Sequence, residues 1–284
     1  MEETDHYKLL LGDNISKINE LVKEGVKVDL TVTSPPYDNL RTYEDSLRWD
    51  EEVWSNLIKG LYNITADGGV VVWVVGDAVI DGSETGSSFK QALKFMDQGF
   101  LLHDTMIYEK NGPSYPAHKK STRYSQVFEY MFVFSKGKPK TANLLFDRKN
   151  TYGGESTRGT HSTRLASGEL KKEKKYKIND YGARFNIWKY NTGKGFGTKD
   201  DIAFEHPAIF PDKLAEDHIL TWSNPGDTVF DPFMGSGTTG KMSLKNDRKF
   251  IGTEIVPKYF DISKKRIKKE YNNLRYRENI KEEW

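Results

Sequence analysis

The chain has 284 residues, of which 36% are hydrophobic and 30% charged, and its formal net charge is +2. This composition suits a folded protein with a sizeable core rather than a disordered chain, and the length fits about two domains or one large α/β domain carrying an insertion. Cysteine is absent, which excludes disulfides, cysteine-ligated zinc, iron–sulfur clusters and any mechanism built on a thiolate nucleophile.

In chain order, the opening Met1-Glu-Glu-Thr-Asp-His6 is acidic and polar, unlike a secretory signal, so a cytoplasmic location is the expectation. Tyr7–Leu11 reads as a short strand ending at Gly12-Asp13. Asn14–Lys23 reads as an amphipathic helix with Ile15, Ile18, Leu21 and Val22 on one face. Val28–Thr33 is a strand that Ser34-Pro35-Pro36 must stop, since prolines cannot continue a ladder. A helix over Glu51–Ile64, a turn at Asp67-Gly68-Gly69 and a strand over Val70–Val75 follow. That strand is apolar throughout, as a strand buried on both faces should be, and is far short of the ~20 residues that span a bilayer. A helix over Ser87–Met96 and strands over Phe100–Tyr108 and Gln126–Phe134 complete the first half.

Periodicity is lost from Gly137 to about Asp201, where Tyr152, Tyr176, Tyr181, Phe185, Trp188 and Tyr190 are interspersed among polar and basic residues. Residues 110–200 hold 20 Lys and Arg against 7 Asp and Glu, so a basic block sits inside an otherwise acidic chain. Such a block attracts polyanions or forms a solvated insertion; charge alone does not choose between them. Pro211–Trp222 then reads as a helix with proline in its first turn. Strands over Thr228–Phe230 and Phe250–Glu254 alternate with helices over Thr239–Leu244 and Pro257–Asn272. Strand–helix alternation on both sides of the insertion predicts a largely parallel α/β sheet.

Asp231-Pro-Phe-Met-Gly235-Ser-Gly237-Thr-Thr-Gly240-Lys241 runs from strand through glycine turn to helix. Gly235, Gly237 and Gly240 match a dinucleotide fingerprint. Gly235 to Lys241 nearly matches a phosphate-binding loop, but Met242 stands where a magnesium-binding hydroxyl is required. A site for S-adenosylmethionine is the third reading, with Glu254 at the end of the next strand gripping the ribose hydroxyls. This motif alone leaves the dinucleotide and adenosylmethionine unresolved.

Ser34-Pro35-Pro36-Tyr37 decides between them. Two prolines without N–H groups fix a loop whose carbonyls can point outward, the Ser34 hydroxyl adds an oxygen, and Tyr37 supplies a π-face. Acceptors capped by an aromatic ring suit the exocyclic amino group of a planar base.

Together the two motifs closely resemble those of the DNA amino-methyltransferases, which methylate N4 of cytosine or N6 of adenine. The order, catalytic loop first, resembles their permuted, beta-type group. The resemblance implies an α/β fold: a mostly parallel Rossmann-like sheet with helices on both faces, plus an inserted target-recognition region. It divides the chain into a catalytic part (1–136), a target-recognition insertion (137–201) and a cofactor-binding part (202–284). It further implies S-adenosylmethionine as cofactor, with Ser34, Pro35, Pro36 and Tyr37 catalytic. Asp13, His206, Pro207, Asp231, Pro232, Phe233, Gly235, Ser236, Gly237, Thr238 and Glu254 are the implied cofactor-binding residues. Double-stranded DNA is the implied partner, a cognate restriction endonuclease is compatible with it, and so is either a monomer or a homodimer. The target base would be flipped out of the duplex, with Arg158, Arg164 and Arg184 as candidate base readers in the insertion.

The neutral Ser34 favours cytosine N4 over adenine N6, where many relatives carry Asp. Absence of cysteine agrees with amino-group rather than C5 methylation, because C5 methylation of cytosine needs a thiolate. No metal site is expected: His103, His118 and His161 are scattered. The competing classes are a glutamine methyltransferase of proteins, which has no use for so basic an insertion, and an inactive DNA-binding relative, against which the intact motifs argue.

Overall fold

A computed structural model describes residues 1–36, 49–113, 122–156, 162–172, 176–193 and 195–282; Tyr37, His118, Arg158 and His161 lie outside the described residues. The elements are β1 (Glu2–Glu3), β2 (Tyr7–Leu11), α1 (Asn14–Lys23), β3 (Val28–Thr33), α2 (Glu51–Ile64), β4 (Thr65–Val75), β5 (Val79–Ile80), β6 (Ser83–Glu84), α3 (Ser87–Asp97), β7 (Leu101–Lys110) and β8 (Phe128–Ser135). They continue with β9 (Arg148–Lys149), β10 (Ser162–Arg164), β11 (Leu170–Lys172), β12 (Tyr181–Gly182), β13 (Ile187–Tyr190), α4 (Asp212–Trp222), β14 (Thr228–Asp231), α5 (Thr238–Lys245), β15 (Lys249–Glu254) and α6 (Pro257–Glu282).

The chain divides into two compact units, Met1–Asn143 with Asn186–Trp284, and Leu144–Phe185. The larger is built on a nine-stranded sheet in the order β1-β2-β15-β14-β3-β4-β8-β7-β13. Strands β2, β15, β14, β3 and β4 run parallel, β8 is antiparallel to both β4 and β7, and β13 is parallel to β7. Central strands are apolar on both faces because helices cover both: Leu30, Val32 and Val71–Val75 are fully buried. One face packs Trp73, Phe132 and Phe134 against Ile18 and Leu21 of α1, Leu57, Ile58 and Leu61 of α2, and Phe95 of α3. Phe95 and Phe134 stack at 4.2 Å with an interplanar angle of 6°. Helices α4, α5 and α6 pack on one another, with α4 against β3 and α5 and α6 against β15. The expected α/β class is therefore present.

Local expectations differ at four places. Asp67-Gly68-Gly69 is not a turn but part of β4, whose register with β3 shifts between Val28 and Leu30. Lys136 and Lys140 close around this irregularity: Gly68 N donates to the Lys136 carbonyl and Lys140 N to the Gly68 carbonyl. Pro211 precedes α4 as its extended cap (ψ 130°) rather than lying in the first turn. Helix α6 continues to Glu282. The separately packed unit spans Leu144–Phe185 rather than 137–201. Asn143 is tied to α4 by its N–H to the Thr221 carbonyl, and Ile187–Tyr190 adds a strand beside β7.

Within the small unit, β9 pairs with β12 and β10 with β11, both antiparallel. It has few buried side chains. Phe146, Tyr152, Tyr176, Tyr181 and Phe185 are all more than half exposed, and the Arg148 guanidinium lies 4.2 Å from the centre of the Phe185 ring. Arg184 pairs with Asp147, through Nε to Oδ1 at 3.1 Å, while Arg164 is exposed on β10.

Candidate active site

Strands β3, β4, β7, β14 and β15 all end at one edge of the sheet, and β8 begins there, because β8 is the strand that runs antiparallel to its neighbours. From the adjacent β3 and β14 the chain leaves in opposite directions, toward β4 and toward β15. Loops that diverge in this way open a crevice at the strand ends. A cavity of about 1120 Å³ occupies it.

Ser34, Pro35 and Pro36 line one part of this cavity. Asp13, His206, Pro207, Asp231, Pro232, Phe233, Gly235, Ser236, Thr238 and Glu254 line another, so residues far apart in sequence share one wall. Gly237 is not among the lining residues. With φ +80°, a Cβ there would stand 2.9 Å from the Ser263 backbone, so this glycine lets α5 pack against α6. Gly240 does likewise between Phe250 and Ile267. Gly235 is different: at φ +51° it faces the His206 ring, which an added Cβ would approach to 3.2 Å. His206 is held edge-on against Tyr259, with ring centres 4.4 Å apart.

The ends of β3 and β14 are joined by a buried bond, the Thr33 hydroxyl donating to Asp231 Oδ1 at 2.7 Å; Phe233 N donates to the same oxygen at 3.0 Å. Burial pushes the Asp231 carboxyl up to about 6, against the bonds from Thr33, Phe233 and Thr239 and with a further push from the Glu254 charge. From pH about 4 to about 6 the folded protein thus keeps a proton that the unfolded chain has lost. Stability from this group is fully present below pH 4 and declines as pH rises through that window. Asp231→Asn should flatten the decline, which is on the order of 2–3 kcal/mol. Urea unfolding at about pH 4 and about pH 7 checks it, and an unchanged pH dependence in the variant would contradict it.

Glu254 is 8% exposed, and burial raises its carboxyl above the ordinary value although backbone N–H groups oppose the shift. Its Oε2 accepts from Gly235 N at 2.8 Å and its Oε1 from Val256 N at 2.9 Å. With Ile255 N–H as a third backbone donor, the carboxylate as a whole keeps acceptor capacity for a ligand hydroxyl. Next to it, where Gly12 N donates to the Glu254 carbonyl at 2.8 Å, Asp13 caps α1 by accepting from Ser16 N at 2.8 Å. The Phe233 ring stands edge-on to Trp49 at 5.4 Å. Asp77 also faces the cavity, but the start of α3 engages it: Ser88 N and Ser88 Oγ donate to it at 2.8 and 2.5 Å.

Sequence reasoning missed the support behind the glycine loop. Arg266 of α6 is 3% exposed and donates through Nη1 to the Ser236 carbonyl at 2.6 Å, the Ser236 hydroxyl at 3.0 Å and the Thr238 hydroxyl at 3.1 Å. It also pairs with Asp200 and Asp212, each at 3.3 Å. Lys241, the lysine of the near-match to a phosphate loop, pairs with the same two carboxylates at 2.6 and 2.7 Å. That engagement removes the phosphate-loop reading. The burial of Arg266 had a sequence signal: with Phe260, Ser263 and Ile267 it falls on the inward face of a helix otherwise crowded with lysine.

No group of His, Asp and Glu able to hold a metal occurs among the described residues, and no helix among them is long and apolar enough to cross a membrane.

The family model described as DNA methylase matches residues 28–265. The orphan methyltransferase M.BamHII of Bacillus amyloliquefaciens is 56% identical over 243 residues, which cover 85% of this chain and 89% of that protein. Two solved structures share the fold: the PvuII DNA methyltransferase (cytosine-N4-specific), with TM-score 0.65 and 21% identity over 95% of this chain and 93% of that one, and the M1.HpyAVI–SAM complex, with TM-score 0.60 and 22% identity over 92% and 99%. With a cavity at the divergence of β3 and β14 walled by both sequence motifs, this chain belongs to the N4/N6 amino-methyltransferase family and is an S-adenosylmethionine-dependent DNA methyltransferase.

Proposed function

We propose that this enzyme methylates the exocyclic N4 of cytosine at a specific site in double-stranded DNA, by direct displacement on a base flipped out of the helix. The observation that carries this reading is the catalytic loop. Ser34-Pro35-Pro36 lines the same cavity as Glu254 and Gly235, and its first side chain is a neutral hydroxyl rather than a carboxylate. S-adenosylmethionine supplies an electrophilic methyl group on a sulfonium.

This chain's residues do the rest. In this reading Glu254 accepts from the ribose hydroxyls and Phe233 borders the adenine. Asp13 and Pro232 shape the floor beside them. Gly235, lacking a Cβ, lets the backbone and the His206-Pro207 segment approach the methionine end. These residues fit the group: a buried carboxylate with lone pairs to spare beside a glycine whose Cβ would fill the cradle. Ser34 and the Pro35 carbonyl accept from the amino group of the base, which favours a pyramidal nitrogen and frees its lone pair. Tyr37 stacks on the ring. Rate then comes from positioning and oriented dipoles, with no covalent enzyme intermediate. The Leu144–Phe185 unit reads the sequence, through lysines on phosphates and a few side chains on base edges.

Labelled methyl transfer to DNA, followed by hydrolysis to nucleosides, tests the base. N4-methylcytosine is expected; N6-methyladenine as the sole product would overturn the cytosine assignment. Glu254→Ala should weaken adenosylmethionine binding by about 1–3 kcal/mol. Calorimetry that finds equal affinity would remove Glu254 from the cofactor site.

A further inference from the structure

Transfer by displacement needs the attacking nitrogen about 3–3.5 Å from the methyl carbon and in line with its bond to sulfur, and a misplacement of about 1 Å costs on the order of a hundredfold in rate. The two reacting partners are held from different strands. Ser34, Pro35 and Pro36 follow β3, whereas Asp231 ends β14 and Phe233 and Gly235 follow it; all six line the cavity. Whatever fixes the separation of these two strand ends therefore fixes the separation of base and cofactor.

The backbone ladder stops short of fixing it. Strands β14 and β3 pair at Val229↔Leu30 and Phe230↔Thr31, and this pairing ends two residues before Thr33. On its other side β3 stays paired with β4 as far as Thr33↔Trp73. The end of β14 is likewise pinned from its far side. It pairs with β15 as far as Asp231↔Gly252, and the Pro232 carbonyl accepts from the Thr253 hydroxyl at 2.8 Å and the Asn14 amide at 3.3 Å. Between these two pinned ends, side chains take over from the ladder. The Thr33 hydroxyl donates to Asp231 Oδ1 at 2.7 Å, and the Thr239 hydroxyl donates to the Val32 carbonyl at 3.2 Å. Thr33 is 1% exposed and Asp231 5%, so little water competes for the first bond. Both partners sit next to the working loops. Thr33 directly precedes Ser34, and Pro35-Pro36 leave that loop little slack. Asp231 Oδ1 also accepts from Phe233 N at 3.0 Å, so one oxygen ties the end of β3 to the start of the cofactor turn.

We infer that Thr33 is a positioning residue, its hydroxyl clasping Asp231 so that the catalytic loop and the cofactor turn stand at the reacting distance. This assignment rests on the reading above, in which Ser34–Pro36 holds the amino group of the base and the glycine turn holds the cofactor; it does not depend on which base is methylated. Thr33 acts through Asp231 and Ser34 rather than on the base. Loss of the hydroxyl leaves each loop its own support, β4 for one and β15 for the other. Each ligand should then still bind, while the two are no longer held in register.

The test compares full-length wild type, Thr33→Val, Thr33→Ser and Ser34→Ala by adenosylmethionine affinity and by single-turnover methyl transfer at saturating cofactor and duplex DNA. Valine keeps the shape of the side chain and removes the donor; serine keeps the donor. Thr33→Val should slow transfer by about tenfold or more with cofactor affinity within about twofold of wild type, and Thr33→Ser should stay within about threefold of the wild-type rate. If the valine variant does not fold, Thr33→Ala set against Thr33→Ser makes the same comparison, because those two differ by the hydroxyl alone. A wild-type rate in Thr33→Val, or equal slowing by valine and serine, would overturn this assignment; a slow Ser34→Ala beside it would leave the catalytic loop standing. Loss of cofactor affinity in proportion to rate in Thr33→Val would mark support of the cofactor turn alone and overturn it too. A wild-type rate in Ser34→Ala would remove that loop from the chemistry, and this inference with it.

Discussion

Methionine in place of Arg266 is expected to lower the stability of the protein by about 3–5 kcal/mol, among the largest effects of any single substitution in the larger unit. The guanidinium is buried and holds two kinds of partner at once, the Ser236-Gly237-Thr238 loop and the carboxylates of Asp200 and Asp212. Without it, the carboxylates of Asp200 and Asp212 keep Lys241 as their close cation, with the exposed Lys269 at 4.0 Å from Asp200, and the Ser236 carbonyl loses the Arg266 donor. Removing one member of such a cluster leaves uncompensated charge, which costs more than the intact cluster is worth. Cofactor affinity should fall as well, because the loop that walls the cavity loses its support from α6. Denaturant midpoints check the stability, with the exposed neighbour Lys265→Met as a control expected to stay within about 0.5 kcal/mol. Adding Asp200→Asn to the methionine variant restores the charge balance and should recover part of the loss. A methionine variant as stable as the wild type would show that the cluster carries no net stabilisation.

Excising Leu144–Phe185 and joining the ends with a short glycine–serine linker is expected to abolish DNA methylation while leaving adenosylmethionine binding unchanged. The cavity is lined wholly by residues of the larger unit, so the cofactor site should survive. The excised unit takes with it Arg164, the Arg148–Phe185 stack, and exposed Tyr152, Tyr176 and Tyr181, a mixture of cations and aromatic faces suited to a nucleic acid. Filter binding across a salt series should show a shallower slope for the shortened chain, as phosphate contacts are lost. Site-specific methylation retained after the excision would refute the assignment of this unit. The boundaries matter: removing 137–201 instead would also take out β13, which pairs with β7, and Asp200, which pairs with Arg266 and Lys241, and would disrupt the sheet and the loop support.

What the residues alone determined was the local grammar and the chemistry of the two motifs. Apolar runs flanked by glycine and proline placed Val28–Thr33, Val70–Val75 and Phe250–Glu254 as strands, and helical spacing placed α1 and α2 to the residue. Short-range signals suffice there, because burial on both faces of a strand, or on one face of a helix, is written into the pattern. Ser34-Pro35-Pro36 and Asp231–Gly237 were equally legible, since prolines and glycines restrict backbone conformation whatever surrounds them. Tertiary structure decided which of these residues meet. Only the divergence of β3 and β14 brings Thr33 to Asp231 and sets both loops on one cavity. Only the packing of α5 on α6 gives Gly237 its packing role against Ser263, and makes Lys241 the partner of Asp200 and Asp212. The same holds for the edge of the insertion, where Ile187–Tyr190 lacks a distinctive pattern of its own and becomes a strand because β7 offers a free edge. Non-local hydrogen bonding and burial are properties of the assembled sheet, and a chain read one residue at a time carries neither.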